Sequence, residues 1–281
     1  MSTETMTAAD SSIDPLATRP AGLRAPKLLG VVNLSPESMV RNSIVRNPDE
    51  ALERARDLQA NGVDVIDLGG RSITPDAPQI DDEEEQRRLA PTAERMRDEG
   101  VSFSVDTWSA ATAIAAVGWG ADVINFTGRE ASSAMLQAVA RARASLILTH
   151  MPYENAYEMR SQPRVPTPAD LVGEIIASLK PRVEEALAAG VHEVIVDPNL
   201  GIIHPDTDDF EKIHLQLEIV WQAERLRSLG CPLLFYAARK PERLARIMMA
   251  SAVLHAQAEY VRTHEPSILR ELLRAAGRSA S

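Results

Sequence analysis

The sequence predicts an α/β protein built as a single (β/α)8 barrel. Short apolar runs alternate with longer stretches of helical periodicity from Lys27 to the end. Eight such units occur, and strands alternating with helices imply a parallel sheet buried on both faces. Nearly every run also finishes in or next to a polar or charged residue, and closing the sheet gathers these on one rim, where barrel enzymes carry their chemistry. An open doubly wound sheet is the competing architecture. The first run is followed by Asn33-Leu34-Ser35-Pro36-Glu37-Ser38 instead of a glycine-rich dinucleotide turn, which argues against it.

Taken in order, the first strand is expected over 28–34. Ala51, Leu52, Ala55 and Leu58 then recur at helical spacing until Asn61-Gly62 ends that helix. The second strand, 63–70, precedes a helix whose first residues, 81–85, are acidic and suit the positive end of its dipole. The third strand is expected at 101–107 with a helix over 109–118, and the fourth at 122–127 with a helix over 132–142. The fifth strand, 145–151, leads into a polar stretch, 152–166, containing Pro152, Pro163 and Pro166. A long helix over 168–190 leads to the sixth strand at 192–197, and one continuous helix over 210–229 leads to the seventh at 232–237. A helix over 242–256, an eighth strand at 259–264 and a closing helix over 267–276 complete the pattern.

Residues 1–25 are rich in Ser, Thr, Ala and Pro and read as a flexible tail; 26–281 read as one barrel domain. The chain has 281 residues, with 30 Lys+Arg against 40 Asp+Glu, a net charge of −10. That balance argues against a nucleic-acid or anionic-membrane binder, while leaving room for a local cationic pocket. No run approaches the roughly 18 apolar residues of a membrane span, and the N-terminus lacks the basic start of a signal peptide. Cys231 is the single cysteine, within an apolar run, so an intrachain disulfide and a cysteine zinc cluster are excluded; a reducing, cytoplasmic setting is expected.

The strand ends carry Asn33, Asp67, Asp106, Asn125, His150 and Asp197; Arg239-Lys240 follows the seventh strand, and Arg262 and His264 lie two residues apart, on one face of the eighth. A lone Asp at a strand end is ordinarily a cap or turn residue, but a polar group at all eight is not explained that way. Carboxylates and amides such as Asp106, Asn125 and Asp197 can hydrogen-bond along a planar heterocycle with a guanidine-like edge. Lys240, Arg262 and His264 can surround an anion such as diphosphate. Asn33 can offer a hard oxygen to Mg2+. The competing account is a structural network in which Arg262 and His264 pair with Asp67.

At these residues the chain resembles the dihydropteroate synthase family, the pterin-binding branch of the TIM barrels. Gly30-Val31-Val32-Asn33-Leu34-Ser35-Pro36-Glu37-Ser38 is similar to that family's G-x-x-N-x-T-P-D-S, and Asp64-Val65-Ile66-Asp67-Leu68-Gly69-Gly70-Arg71-Ser72 to its D-x-I-D-x-G-G-E-S. Ser104-Val105-Asp106-Thr107, Ile124-Asn125, His150-Met151, Asp197-Pro198, Arg239-Lys240 and Arg262-Thr263-His264-Glu265 follow in the family's order. Each motif is weak alone; their order on successive strands is what makes the resemblance specific, over about 28–272. It implies a transferase of folate biosynthesis that joins a pterin-methyl diphosphate to p-aminobenzoate or another amine acceptor and releases diphosphate. Asp106, Asn125, Asp197 and Lys240 would hold the pterin. Asn33 would bind Mg2+, and Arg262, Thr263 and His264 would meet the diphosphate, with Lys240, Arg262 and His264 closest to the chemistry. The alternatives are a non-catalytic pterin-binding paralogue and a folate-dependent methyltransferase, which would not need Lys240 or the Arg262-Thr263-His264 group. Barrels of this kind often pair through outer helices, the form a homodimer would take.

The departures cluster on loops. Where the family has E-S-T-R-P-G, this chain has Arg71-Ser72-Ile73-Thr74-Pro75-Asp76, so that Thr74 cannot pair with a carboxylate. The family's D-P-G-x-G-F-G-K becomes Asp197-Pro198-Asn199-Leu200-Gly201-Ile202-Ile203-His204, and Ala238 stands for the serine before Arg-Lys. Arg41, Arg71 and Arg164 are the candidates to replace the missing arginine.

Overall fold

The computed structural model describes residues 25–38, 43–74, 77–201, 203–237 and 242–275. Eight parallel strands run β1 (Lys27–Asn33), β2 (Val65–Gly69), β3 (Phe103–Thr107), β4 (Val123–Phe126), β5 (Ser145–Thr149), β6 (Val194–Asp197), β7 (Leu234–Tyr236) and β8 (Tyr260–Thr263). The sheet order is β6-β5-β4-β3-β2-β1-β8-β7. A parallel bridge between Val196 and Leu233, with the Val196 amide donating to the Pro232 carbonyl at 2.9 Å, closes the ring between β6 and β7. The outer helices are α1 (Pro48–Ala60), α2 (Asp82–Asp98), α3 (Ala110–Trp119), α4 (Ser133–Ala142), α5 (Ala156–Ser161), α6 (Leu171–Ala188), α7 (Asp209–Trp221), α8 (Ala223–Leu226), α9 (Arg243–His255) and α10 (Pro266–Ala275).

The strands are not uniformly apolar; they alternate with the two-residue period of extended chain. One parity packs on the helices, through Ile66, Leu68, Val105, Ile124, Leu146, Leu148, Val196 and Phe235 in the main core. The other parity faces into the barrel. Its lower layer is an apolar plug of Leu29, Val65, Val123, Ile147, Ile195, Leu234 and Tyr260. One period further along, the same face becomes polar on β2, β4, β5, β6, β7 and β8, through Asp67, Asn125, Thr149, Asp197, Tyr236 and Arg262.

The helices start where the sequence offers side-chain caps. Asn47, Asp81, Ser109, Ser132 and Asp170 each accept a backbone N–H three residues on, which satisfies a donor the helix itself cannot. Asn61 ends α1, and Gly62 takes φ 86° as expected. Two expectations are corrected. The continuous helix over 210–229 breaks at Gln222 into α7, α8 and a 3-10 turn, Arg227–Leu229. The polar stretch after β5 contains α5, started by Asn155, whose side chain accepts from the Tyr157 and Glu158 amides. The expected tail lies outside the described residues except for residue 25.

Candidate active site

The polar inward layer is built around Arg262 on β8. Its Nε donates to Asp67 Oδ2 at 2.6 Å, and its Nη2 to Asp106 Oδ2 at 2.8 Å. The Ser104 hydroxyl donates to Asp67 at 2.6 Å, and Asn125 Nδ2 approaches the same carboxylate at 3.4 Å. The Thr127 hydroxyl donates to Asp106 at 3.2 Å. Asp197 accepts the Asn199 amide at 2.7 Å, and Asn199 in turn donates from its side chain to the His150 carbonyl. Register explains the convergence: Asp67 lies beside Ser104, Asp106 beside Asn125, and Tyr236 beside Arg262 on adjacent strands. Asp106, Asn125, Asp197 and Arg262 therefore share the mouth, as their strand-end positions predict.

Three carboxylates and one guanidinium in a buried layer leave negative charge short of compensation among the described residues. Burial pushes the Asp106 carboxyl up to about 6; Arg262 works against this, and Asp67 adds to it. Burial likewise pushes Asp197 up to about 7, against the Asn199 amide and Arg262. Arg262 is held firmly charged, because its two carboxylate partners outweigh its own burial. Asn125 is 2 % exposed, and its Oδ1 has no partner among the described residues. Such a layer suits a flat ligand that brings N–H donors.

Asn33 stands at the end of β1, with its Nδ2 donating to Ser43 at 2.6 Å and Ser38 at 3.1 Å. Its Oδ1 lies over Gly69: a Cβ there would come within 3.1 Å of it. His264 is buried and meets the Tyr236 ring edge-on, with centroids 5.9 Å apart. Thr263 is not brought into the layer. The period that aligns Arg262 with His264 turns Thr263 toward α10, where its hydroxyl accepts the Glu265 amide at 3.0 Å. Lys240 lies outside the described residues, as do Ala238, Arg239 and Arg41.

Above this layer the rim loops are cross-linked. Arg71 is nearly closed off, with a side-chain exposure of 5 %; it meets Asp82 at 2.5 Å and the fully buried Glu85 at 3.3 Å, and lies over the Trp108 ring at 4.9 Å. Glu85 also accepts from Thr107 and Thr112, and its burial pushes its carboxyl up to about 7. The Arg164 guanidinium engages Glu211. Arg71 and Arg164, two of the candidates for the missing arginine, are thus each engaged by carboxylates of the protein itself. Behind the β5 end, Arg182 donates to the Thr149 and Gly128 carbonyls, and burial with the nearby arginines pulls His150 down to about 4, so that it stays neutral.

Two features weigh more in the structure than in the sequence: Asp67, which enters there as a strand end and as the partner of Arg262 in the competing structural network, and Tyr236, which is not singled out. Asp67 is the layer's hub, fully buried and bonded from three sides. Tyr236 places its ring 5.8 Å from the Arg262 guanidinium. Its inward parity on a strand as short as β7 was the available signal.

A family model described as pterin binding enzyme matches residues 29–264. A dihydropteroate synthase of Mycobacterium leprae is 30% identical over 76% of this chain and 73% of its own length. The crystal structure of dihydropteroate synthase from Thermus thermophilus in complex with 4-aminobenzoate superposes with a TM-score of 0.72 at 28% identity, over 92% of this chain and 96% of that one. A second structure of that enzyme, in complex with 6HMPPP, gives a TM-score of 0.70 at 28% identity over 92% and 95%.

Proposed function

The chain belongs to the pterin binding enzyme family, and on that premise we propose that its mouth condenses a pterin-methyl diphosphate with p-aminobenzoate or a related aryl amine and releases diphosphate. The observation that carries this reading is the inward layer at the strand ends, in which the buried Asp67, Asn125 and Asp197 are joined by the half-buried Asp106 and Arg262. The solved relatives bind 4-aminobenzoate and 6HMPPP.

Asp106, Asn125 and Asp197 accept and donate along the edge of the pterin, joined by Lys240. With the ring so fixed, the carbon–oxygen bond to the diphosphate breaks and the electron pair leaves with the phosphate oxygen. The remaining cation is stabilised by the electron-rich pterin. The amine lone pair closes the carbon–nitrogen bond, and the nitrogen releases a proton to solvent. The protein's main task is to stabilise departing negative charge, which assigns Arg262 and His264 to the diphosphate.

Among the described residues no group of three or more His, Cys, Asp or Glu is arranged to hold a metal. Mg2+ would suit this mouth as a companion of the diphosphate, because a hard cation prefers oxygen donors and needs few from the protein. Asn33, anchored through its Nδ2 and keeping its Oδ1 over Gly69, is the residue that would meet it; the ion would neutralise phosphate charge.

Phe210 and Trp221 on α7 and Leu244 and Met248 on the adjacent α9 are exposed. This face is the candidate for pairing two copies, and Trp221→Glu is expected to shift a dimer to monomer in sedimentation. No described helix is long and apolar enough to cross a membrane. The cytoplasmic setting rests on cysteine usage, a single free thiol at Cys231. The defining experiment is diphosphate release from a pterin-methyl diphosphate with Mg2+ and 4-aminobenzoate. Turnover is expected; tight pterin binding without turnover would point to a non-catalytic paralogue, and methyl transfer from methyl-tetrahydrofolate would point to a methyltransferase.

A further inference from the structure

Hydrogen-bond donors in the inward layer are mostly committed within the protein. The Arg262 Nε and Nη2 go to Asp67 and Asp106. The Ser104 hydroxyl goes to Asp67, the Thr127 hydroxyl to Asp106, and the Asn125 Nδ2 is turned to Asp67. What the layer keeps in surplus is acceptors, its carboxylates and the Asn125 Oδ1. A pterin brings more than N–H donors. Its edge also carries acceptors, a carbonyl oxygen and ring nitrogens without hydrogen, and ionised carboxylates cannot serve these.

Thr149 holds the complementary donor. It lies two residues beyond Ile147 of the apolar plug, so its side chain shares the inward face of β5. Register sets it beside Asp197 on β6. On its other side it stands one step past the Phe126–Leu148 pair, level with Thr127 on β4. The two threonines differ in what their hydroxyls meet. Thr127 is bonded to Asp106 at 3.2 Å, whereas Thr149 is 1 % exposed and its hydroxyl has no partner among the described residues. The Thr149 backbone, by contrast, is held. Arg182 reaches in from α6 and donates to the Thr149 carbonyl at 2.7 Å and to the Gly128 carbonyl after β4 at 2.9 Å. Arg160 secures the loop after β2 in a similar way, through the Thr74 carbonyl. The next residue, His150, donates its amide to the Asp197 carbonyl at 2.8 Å. A buried hydroxyl with no acceptor destabilises the empty protein, and an acceptor brought by a ligand relieves that.

We propose that Thr149 is a specificity-determining residue of the mouth: its hydroxyl donates to an acceptor atom on the edge of the pterin ring, beside the carboxylates that take the ring's N–H groups. The inference rests on the mouth being the pterin site and not on the condensation step. Its test is calorimetry of the full chain with 6-hydroxymethylpterin, alongside thermal unfolding of the unliganded protein. Thr149→Val keeps the shape and removes the hydroxyl. It is expected to weaken pterin binding about five- to tenfold, as loss of one neutral hydrogen bond implies, and to leave the melting temperature unchanged or higher. Thr149→Ser keeps the donor and should bind within about threefold of the wild type. Wild-type affinity in Thr149→Val would overturn the proposal, as would a lower melting temperature with a loss of affinity that Thr149→Ser shares. If the Val variant does not fold, Thr149→Ala carries the comparison with Thr149→Ser. Asp106→Asn separates the two possible failures. Affinity lost there but kept in Thr149→Val refutes Thr149 alone, and no pterin binding by the wild type refutes both readings. Pterin binding without diphosphate release defeats the condensing function, while the Thr149 variants are still decided by their affinities.

Discussion

The strand-end layer and the rim loops above it use the same side chains, arginine and carboxylate, to opposite effect. In the layer, Arg262 serves two carboxylates, and a third, Asp197, lies close by without an ion-pair contact to it. On the rim, Arg71 is enclosed by Asp82 and Glu85, Arg88 by Glu84 and Glu37, and Arg164 by Glu211. The rim has spent its polar groups on holding loops together. The layer retains carboxyl groups whose charge is costly where they lie, as at sites meant for an incoming partner.

The largest effect that tests this contrast is loss of a layer carboxylate. Asp106→Asn or Asp197→Asn should weaken 6-hydroxymethylpterin binding by roughly 10- to 100-fold, the worth of a charge-assisted hydrogen bond. Calorimetry would show it, and wild-type affinity in both variants would make the layer merely structural. Next comes pH. Both folded carboxyls lie above the ordinary value, at about 6 and about 7. Pterin affinity should therefore fall as pH drops through 7 to 6 and the carboxyls take up protons. Stability has the opposite slope. The folded state holds protons that the unfolded chain has already released, so stability is fullest below pH ~4 on this account and is lost as pH rises to 7. The melting temperature should decline across that window, and less steeply in Asp197→Asn.

A smaller effect belongs to the rim. Arg71→Met removes the cation beside Glu85 and should cost about 1–3 kcal/mol in urea unfolding, moderated because Glu85 can protonate. Pterin affinity should not change, and adding Glu85→Gln should restore part of the loss. If pterin binding collapsed instead, layer and rim would not be separable. The smallest effect is expected at Tyr236. Replacing it by Leu removes a cation–π contact worth about 0.5–1 kcal/mol and should weaken diphosphate binding a few-fold in a displacement assay.

What could be read from the sequence follows the same division. The layer was legible because strand geometry is periodic: once Asp67, Asp106, Asn125 and Asp197 close their runs, a barrel leaves them one place to meet. Thr263 shows the limit of reading by motif alone, since the period that aligns its neighbours turns it toward α10. The rim was opaque for a different reason. Arg71 with Glu85, Arg164 with Glu211 and Arg160 with Thr74 are contacts between loops, and no repeat in the sequence sets which loop reaches which. The long helix expected after β6 failed at Gln222, where apolar spacing continues through a break in the backbone.

Asn199 joins these two kinds of information in one residue. Its φ of 69° is a backbone shape that glycine adopts without cost and that asparagine tolerates better than most side chains. Unlike glycine, it reaches the His150 carbonyl and stitches the end of β5 to that of β6. A change to glycine would keep the turn and remove the stitch, which makes position 199 a dial for how stiffly the two strand tips hold their spacing.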